Sequence, residues 1–188
     1  MVKMSKGFTL VELLVAMSVF IILVTIVADL FFVSFLAEKR LLAADVVFDQ
    51  TSFLAEYLSR SLRMARKELA APVCLSENGL NYELTRFDGS KYAGIKFINS
   101  QNACQEVFVE TGTKRLKEIK AGLEQYLTSS NVEVSAFNLN LIGESQTDHL
   151  QPRVTFFLSL SRAATRTATA PLLEIQTSLS QRKLDLEI

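Results

Sequence analysis

Apolar and polar positions along this chain fall into three regimes. From Phe8 to Ala28 the run is apolar on every side: 21 residues with Glu12 as the only charge and Thr9, Ser18 and Thr25 as the other polar members. At about 1.5 Å rise per residue, a helix of that length spans roughly 30 Å, the hydrocarbon thickness of a bilayer. Asp29 interrupts, and "LFFVSFLA" follows. A buried core helix would be shorter and would show a polar face. This block shows none over its first two-thirds, so the pattern predicts a transmembrane helix.

The second regime, 38–71, contains no Gly and no Pro. Val47, Thr51, Leu54, Leu58, Leu62, Ala65 and Leu69 recur at spacings of three and four, one face of an amphipathic helix. Pro72 stops the pattern. The spacing thus predicts one helix running from the apolar block to residue 71. Arg60, Arg63, Arg66, Lys67 and Glu68 lie mostly off the stripe and read as a solvated face, with lipid headgroups or nucleic acid as the sharper alternative.

The third regime, 72–188, alternates like strands. "LNYELTRF" and "YAGIKFI" flank "DGSK", a turn signal. "EVFVE" ends at "TGT". "VEVSAFNLNL", "RVTFFLSLS" and "PLLEIQTSL" read as strands, with "RAATRTATA" a loop. "KRLKEIKAGLEQYL" is ambiguous: it continues a hairpin, yet Leu116, Ile119, Leu123 and Tyr126 have helical spacing. The expected structure is a strand to about Ile119, then a short helix. The helix stripe needs a cover, and a sheet supplies one. The predicted fold class is α+β, a long N-terminal helix packed on an antiparallel sheet.

Charge excludes more than it suggests. Twenty basic and twenty acidic side chains balance, which gives no broad basic face for nucleic acid, and no specific nucleic-acid contact is expected. Processing as a secretory signal is excluded because the apolar run is too long and no A-x-A-like cut follows it. Lys3, Lys6 and the initial amine stand against Lys39 and Arg40, offset by Glu38. The balance leans to a cytoplasmic N-terminus and a C-terminal domain outside the cytoplasm.

Glu12 is the misfit. A carboxylate at the centre of a membrane helix costs about 2.5 to 3.5 kcal/mol, less near an edge. Near a helix start the free N–H groups return about 0.3 to 1 kcal/mol. It is either an interfacial residue of the first turn or a charge with a cationic partner in lipid. If the chain is cut after Gly7, Phe8 gains an amine four residues before Glu12.

"KGFTLVELLVAMSVF" also resembles the cleavage and methylation motif of type IV prepilins and of type II secretion pseudopilins. The resemblance covers about 15 residues. It implies a leader of residues 1–7, cleavage between Gly7 and Phe8, and N-methylation of Phe8. Beyond the leader lie a transmembrane and assembly segment 8–37, an amphipathic segment 38–71 and a soluble β-rich domain 72–188. It gives Glu12 the role of meeting a neighbouring subunit's N-terminal amine during filament assembly. Its implied partners are other pilins or pseudopilins, the prepilin peptidase and N-methyltransferase, and membrane lipid before assembly. Major pilins commonly carry proline where this chain has Asp29, which makes the chain look more like a minor pilin. Asp29 itself reads as a marker of the membrane exit rather than a second assembly contact. The closing "EIQTSLSQRKLDLEI" resembles, much less specifically, the last strand of J-type pseudopilins and related minor pilins.

No catalytic motif is visible: there is no GxSxG, phosphate-binding glycine loop, HExxH or calcium-loop spacing. His149, the only histidine, follows Asp148 and reads as a loop residue. Asp88, Glu144 and Asp148 lack the spacing of a calcium site. No cofactor, no metal and no enzyme activity are expected. Cys74 and Cys104 lack zinc spacing and form either a disulfide or two free thiols. The expected function is a structural subunit that joins or primes a type IV pilus-like filament. It would reside in the cytoplasmic membrane and then in a surface pilus or periplasmic pseudopilus. The alternatives are a tip module binding DNA, a surface or secreted cargo, and a single-pass protein that never assembles.

Overall fold

Thr9 opens the long helix and a cluster of tertiary contacts closes it. The computed structural model describes residues 7–69, 73–144, 150–163 and 171–182. Helix α1 spans Leu10–Arg63. The chain divides into two compact units, Met1–Leu42 and Ala43–Ile188.

In the first unit every described side chain is exposed, including the large apolar ones from Leu10 to Leu42. The helix here is long and apolar enough to cross a membrane, and none of its most apolar window is buried by protein. Ser18, Thr25 and Ser34 return their hydroxyls to the carbonyls of Val15, Ile22 and Leu30, each at 2.8 Å, which removes their donors from an otherwise apolar surface.

In the second unit α1 buries Ala43, Val47, Thr51, Leu54, Leu58 and Leu62, spaced by three and four. Of these, Val47, Leu54, Leu58 and Leu62 join a core with Tyr82, Ile95, Phe97, Val107, Leu116, Phe137, Val154, Phe156, Leu158 and Leu160 from the sheet. The helix stops at Arg63 rather than at 71 as the spacing suggested. Its last carbonyls have partners from elsewhere in the fold. The Tyr82 hydroxyl donates to Leu62 O and the Arg182 N–H to Arg63 O, each at 2.7 Å. The Arg66 N–H is drawn to Ile98 O at 2.9 Å, in a bridge to the sheet. An α-helix leaves its terminal carbonyls open, and the Tyr82 and Arg182 donors fill those of Leu62 and Arg63. Ala65 remains buried beyond the helix end, whereas Leu69 is 82% exposed and is not part of the core stripe.

The strands are β1 (Tyr82–Phe87), β2 (Tyr92–Ile98), β3 (Cys104–Glu110), β4 (Arg115–Lys120), β5 (Leu123–Tyr126), β6 (Val132–Ile142), β7 (Arg153–Arg162) and β8 (Leu172–Ser180). They form one antiparallel sheet in the order β5-β4-β3-β2-β6-β7-β8, with β1 also paired to β2. It is two consecutive meanders, β1 to β5 and β6 to β8, joined through the single pair Tyr92↔Leu139. Asp88 closes the β1–β2 hairpin by accepting the N–H groups of Ser90 and Lys91, each at 2.9 Å. Gly94 on β2 is required by close approach: a Cβ there would fall on Thr85 Oγ1, with Arg86 Cγ at 2.9 Å and Phe108 Cβ at 3.0 Å.

The short helix expected after Ile119 is instead strand β5. Lys120 pairs with Leu123, so Ala121 and Gly122 form a two-residue hairpin loop. Their φ values are 51° and 81°, both positive as a type I′ turn demands. Pairing to β4 satisfies four residues of backbone that a single isolated helical turn would leave largely open.

Candidate processing and assembly site

Gly7, Phe8 and Thr9 precede the helix in non-helical backbone. Thr9 is the N-cap, and Glu12 is the third helical residue. The Glu12 N–H donates to Thr9 Oγ1 at 3.3 Å. In return the carboxylate oxygen Oε2 of Glu12 accepts the Thr9 N–H at 3.0 Å and the Thr9 hydroxyl at 2.9 Å. This is a capping box, which satisfies two open N–H groups at the helix start. It fixes the helix boundary two residues after the Gly7–Phe8 bond. That bond lies in open space: a Cβ on Gly7 would meet nothing within 4 Å, and Phe8 is 77% exposed.

In the sequence the charge of Glu12 hides a second signal, the T-x-x-E spacing of a cap. Thr9 is therefore a contributing residue that spacing could have identified. Both Thr9 donors fall on Oε2, which leaves Oε1 without a hydrogen bond among the described residues. Asp29 lies on the same helix, exposed, at the place where the apolar run is first interrupted.

Cys74 and Cys104 are bonded, with Cα atoms 5.3 Å apart. The bridge ties the segment before β1 to the first residue of β3. Beside it the carboxylate of Glu68 accepts three N–H groups, from Val73 at 2.6 Å, Cys74 at 3.0 Å and Leu75 at 2.7 Å. Burial works against its charge. The three N–H donors and the charge of Lys96 outweigh that and hold the carboxyl below its ordinary range. Glu68 thus does not belong to the solvated face assigned to it from sequence. Of the basic residues grouped with it, Arg60 pairs with Glu56 at 2.5 Å and Arg66 donates to Asn102 Oδ1 at 2.7 Å.

His149 and Asp148 lie outside the described residues, as does Lys6 before the candidate cut. Asp88 is engaged in its own turn. Burial and the charges of Glu83 and Glu77 raise the Glu144 carboxyl. Among the described residues no group of three or more His, Cys, Asp or Glu side chains is placed to hold a metal.

A long, lipid-compatible N-terminal helix together with an antiparallel eight-stranded sheet is a pilin-like α+β arrangement. Residues 2–28 match the family model of the prokaryotic N-terminal methylation motif, so the chain carries the type IV prepilin-like cleavage and methylation motif. The motif supports a type IV pilin-like precursor. In general such a motif implies processing by a prepilin peptidase and assembly with other pilins. No curated protein and no solved structure matches the chain.

Proposed function

We propose that this protein is a minor pilin or pseudopilin, a non-enzymatic subunit that joins or primes a type IV pilus-like filament. In this reading the peptidase cuts between Gly7 and Phe8, and Phe8 is N-methylated. The Glu12 carboxylate then meets the new amine of a neighbouring subunit. The observation that carries the proposal is the junction of an open Gly7–Phe8 bond with a helix whose first turn presents Glu12 in an otherwise apolar surface. In lipid a carboxylate is costly unless it finds a cation, and the cut supplies one at a nearby depth. Methylation keeps the charge on that amine. The β-rich unit would stand outside the cytoplasm, where the Cys74–Cys104 bridge is chemically at home.

Mass analysis of the N-terminal peptide from native membranes tests this. The expected result is a chain starting at Phe8 and carrying one extra methyl group. A chain that keeps residues 1–7 in cells with an active prepilin peptidase would overturn the proposal.

A further inference from the structure

Among the described residues, β1, β5 and β8 each pair with a strand on one side only. Two of these edges are blunted. β5 is four residues long, and Glu124 on it pairs with Lys117 at 2.6 Å. On β1, Arg86 takes a φ of 58° and drops out of the ladder between Thr85 and Phe87. β8 is different. Its nine residues pair with β7 from Arg153↔Ser180 to Ser161↔Leu172 without a register shift. It carries no Pro or Gly and one charge, Glu174. Proteins ordinarily protect a long, regular edge with charges, prolines or bulges, because its open N–H and C=O groups template another strand.

A groove of about 680 Å³ runs beside the C-terminal half of this edge, between it and the end of α1. Arg60, Arg63, Arg182, Met64, Ser178 and Ser180 line it. Glu56, the one acid in its wall among the described residues, is taken by Arg60 at 2.5 Å. Arg63 and Arg182 have no ion pair among the described residues; the contact between them is the backbone bond Arg182 N–H to Arg63 O. Among the described residues the site therefore combines an open strand edge with two guanidinium groups that have no ion pair.

We propose that the outer edge of β8 accepts an extended acidic segment of a neighbouring protein chain as an added strand. Main-chain hydrogen bonds to β8 hold the segment, and its carboxylates, placed beside Ser178 and Ser180, pair with Arg63 and Arg182. Edge addition draws affinity from the backbone and selectivity from side chains next to the edge. Guanidinium groups are suited to carboxylates because their fork of donors matches two oxygens. The proposal stands apart from the processing of the N-terminus and does not depend on it.

The test uses the full-length protein in detergent micelles with its disulfide intact. Three synthetic probe peptides are compared, each nine residues long to match β8. One alternates threonine and valine and ends in two glutamates. The second ends in two lysines. The third is the glutamate peptide with a central proline. Amide hydrogen exchange across residues 172–180 is the readout. The glutamate peptide is expected to slow exchange in β8, and the lysine and proline peptides are not. Added salt should weaken the effect. Arg63→Glu together with Arg182→Glu should weaken binding about tenfold or more, as expected for loss of charge-assisted hydrogen bonds. The proposal is overturned if saturating glutamate peptide leaves β8 exchange unchanged. It is also overturned if all three peptides, or wild type and the double variant, behave alike. Protection that appears on concentrating the protein without peptide would make a second copy the occupant and would equally overturn it.

Discussion

The phenol of Tyr57 on α1 donates a 2.5 Å hydrogen bond to the carboxylate of Glu118 on β4, which is fully buried. Gln125 on β5 donates to the same carboxylate at 2.5 Å, and Gln105 on β3 also donates to it. One acid thus gathers the helix and three neighbouring strands. A buried carboxylate with only neutral donors is stable to the extent that every donor is kept. Tyr57→Phe removes one donor without changing shape. The expected loss is about 1 to 3 kcal/mol in denaturant unfolding, with the slope unchanged. A loss under about 0.5 kcal/mol, the range of a neutral surface change, would show that this contact contributes little.

Stability should fall on the acid side. Three N–H donors and Lys96 hold Glu68 below its ordinary value despite burial. Glu110 accepts Thr113 and Tyr126 hydroxyls and the Lys117 ammonium, and is lowered to about 2. A carboxyl lowered by folding contributes stability above its unfolded pKa, and that contribution is lost as pH falls through the folded value. The unfolding midpoint should therefore hold between neutrality and about pH 5 and then drop toward pH 2. Glu144, raised by folding, acts in the opposite sense and at higher pH: its contribution is present below the ordinary carboxyl value and is lost as pH rises above it. At high pH the sign reverses. Burial raises Tyr57 and Tyr82 above the ordinary value of 10, so stability should also decline above that pH. A flat profile from pH 5 to 2, or one unaltered in acid by Glu68→Gln, would contradict this account.

The Cys74–Cys104 bridge closes a separation of 30 residues. On the loop-entropy argument that contributes about 3 to 4 kcal/mol. Peptide mapping without reductant should give one linked peptide and no alkylatable thiol. Reduction should lower the unfolding midpoint of the β-rich unit. Two labelled thiols in material from an oxidising compartment would contradict the bridge.

Glu12→Gln separates the two roles open to Glu12. Glutamine serves a capping box as glutamate does, so the contact with Thr9 and the helix start should persist. Only the charge is lost. If that charge meets a neighbour's amine in lipid, its removal leaves the amine unpaired at a cost of about 3 to 5 kcal/mol. Insertion and cleavage after Gly7 should then be normal, and incorporation into sheared filaments should fail. Incorporation equal to wild type at equal membrane levels would show that Glu12 acts only as a cap.

By itself the sequence determined whatever depends on neighbours along the chain. An unbroken apolar run can only be a lipid-compatible helix, and the stripe from Val47 to Leu62 can bury only one face. Alternation places strands, and "DGSK" supplies its own turn through Asp88. The T-x-x-E cap was equally local and equally readable. Tertiary structure decided what depends on distant partners. The helix ends at Arg63 because Tyr82 and Arg182 reach its last carbonyls. Ala121 occupies a positive-φ turn position that usually belongs to Asn, Asp or Gly, so helical spacing misled until pairing with β4 set the register. Glu68 and Glu118 look like surface acids in one dimension. They are buried because donors far along the chain, or five to seven residues on, converge on their oxygens, and no periodicity records that convergence.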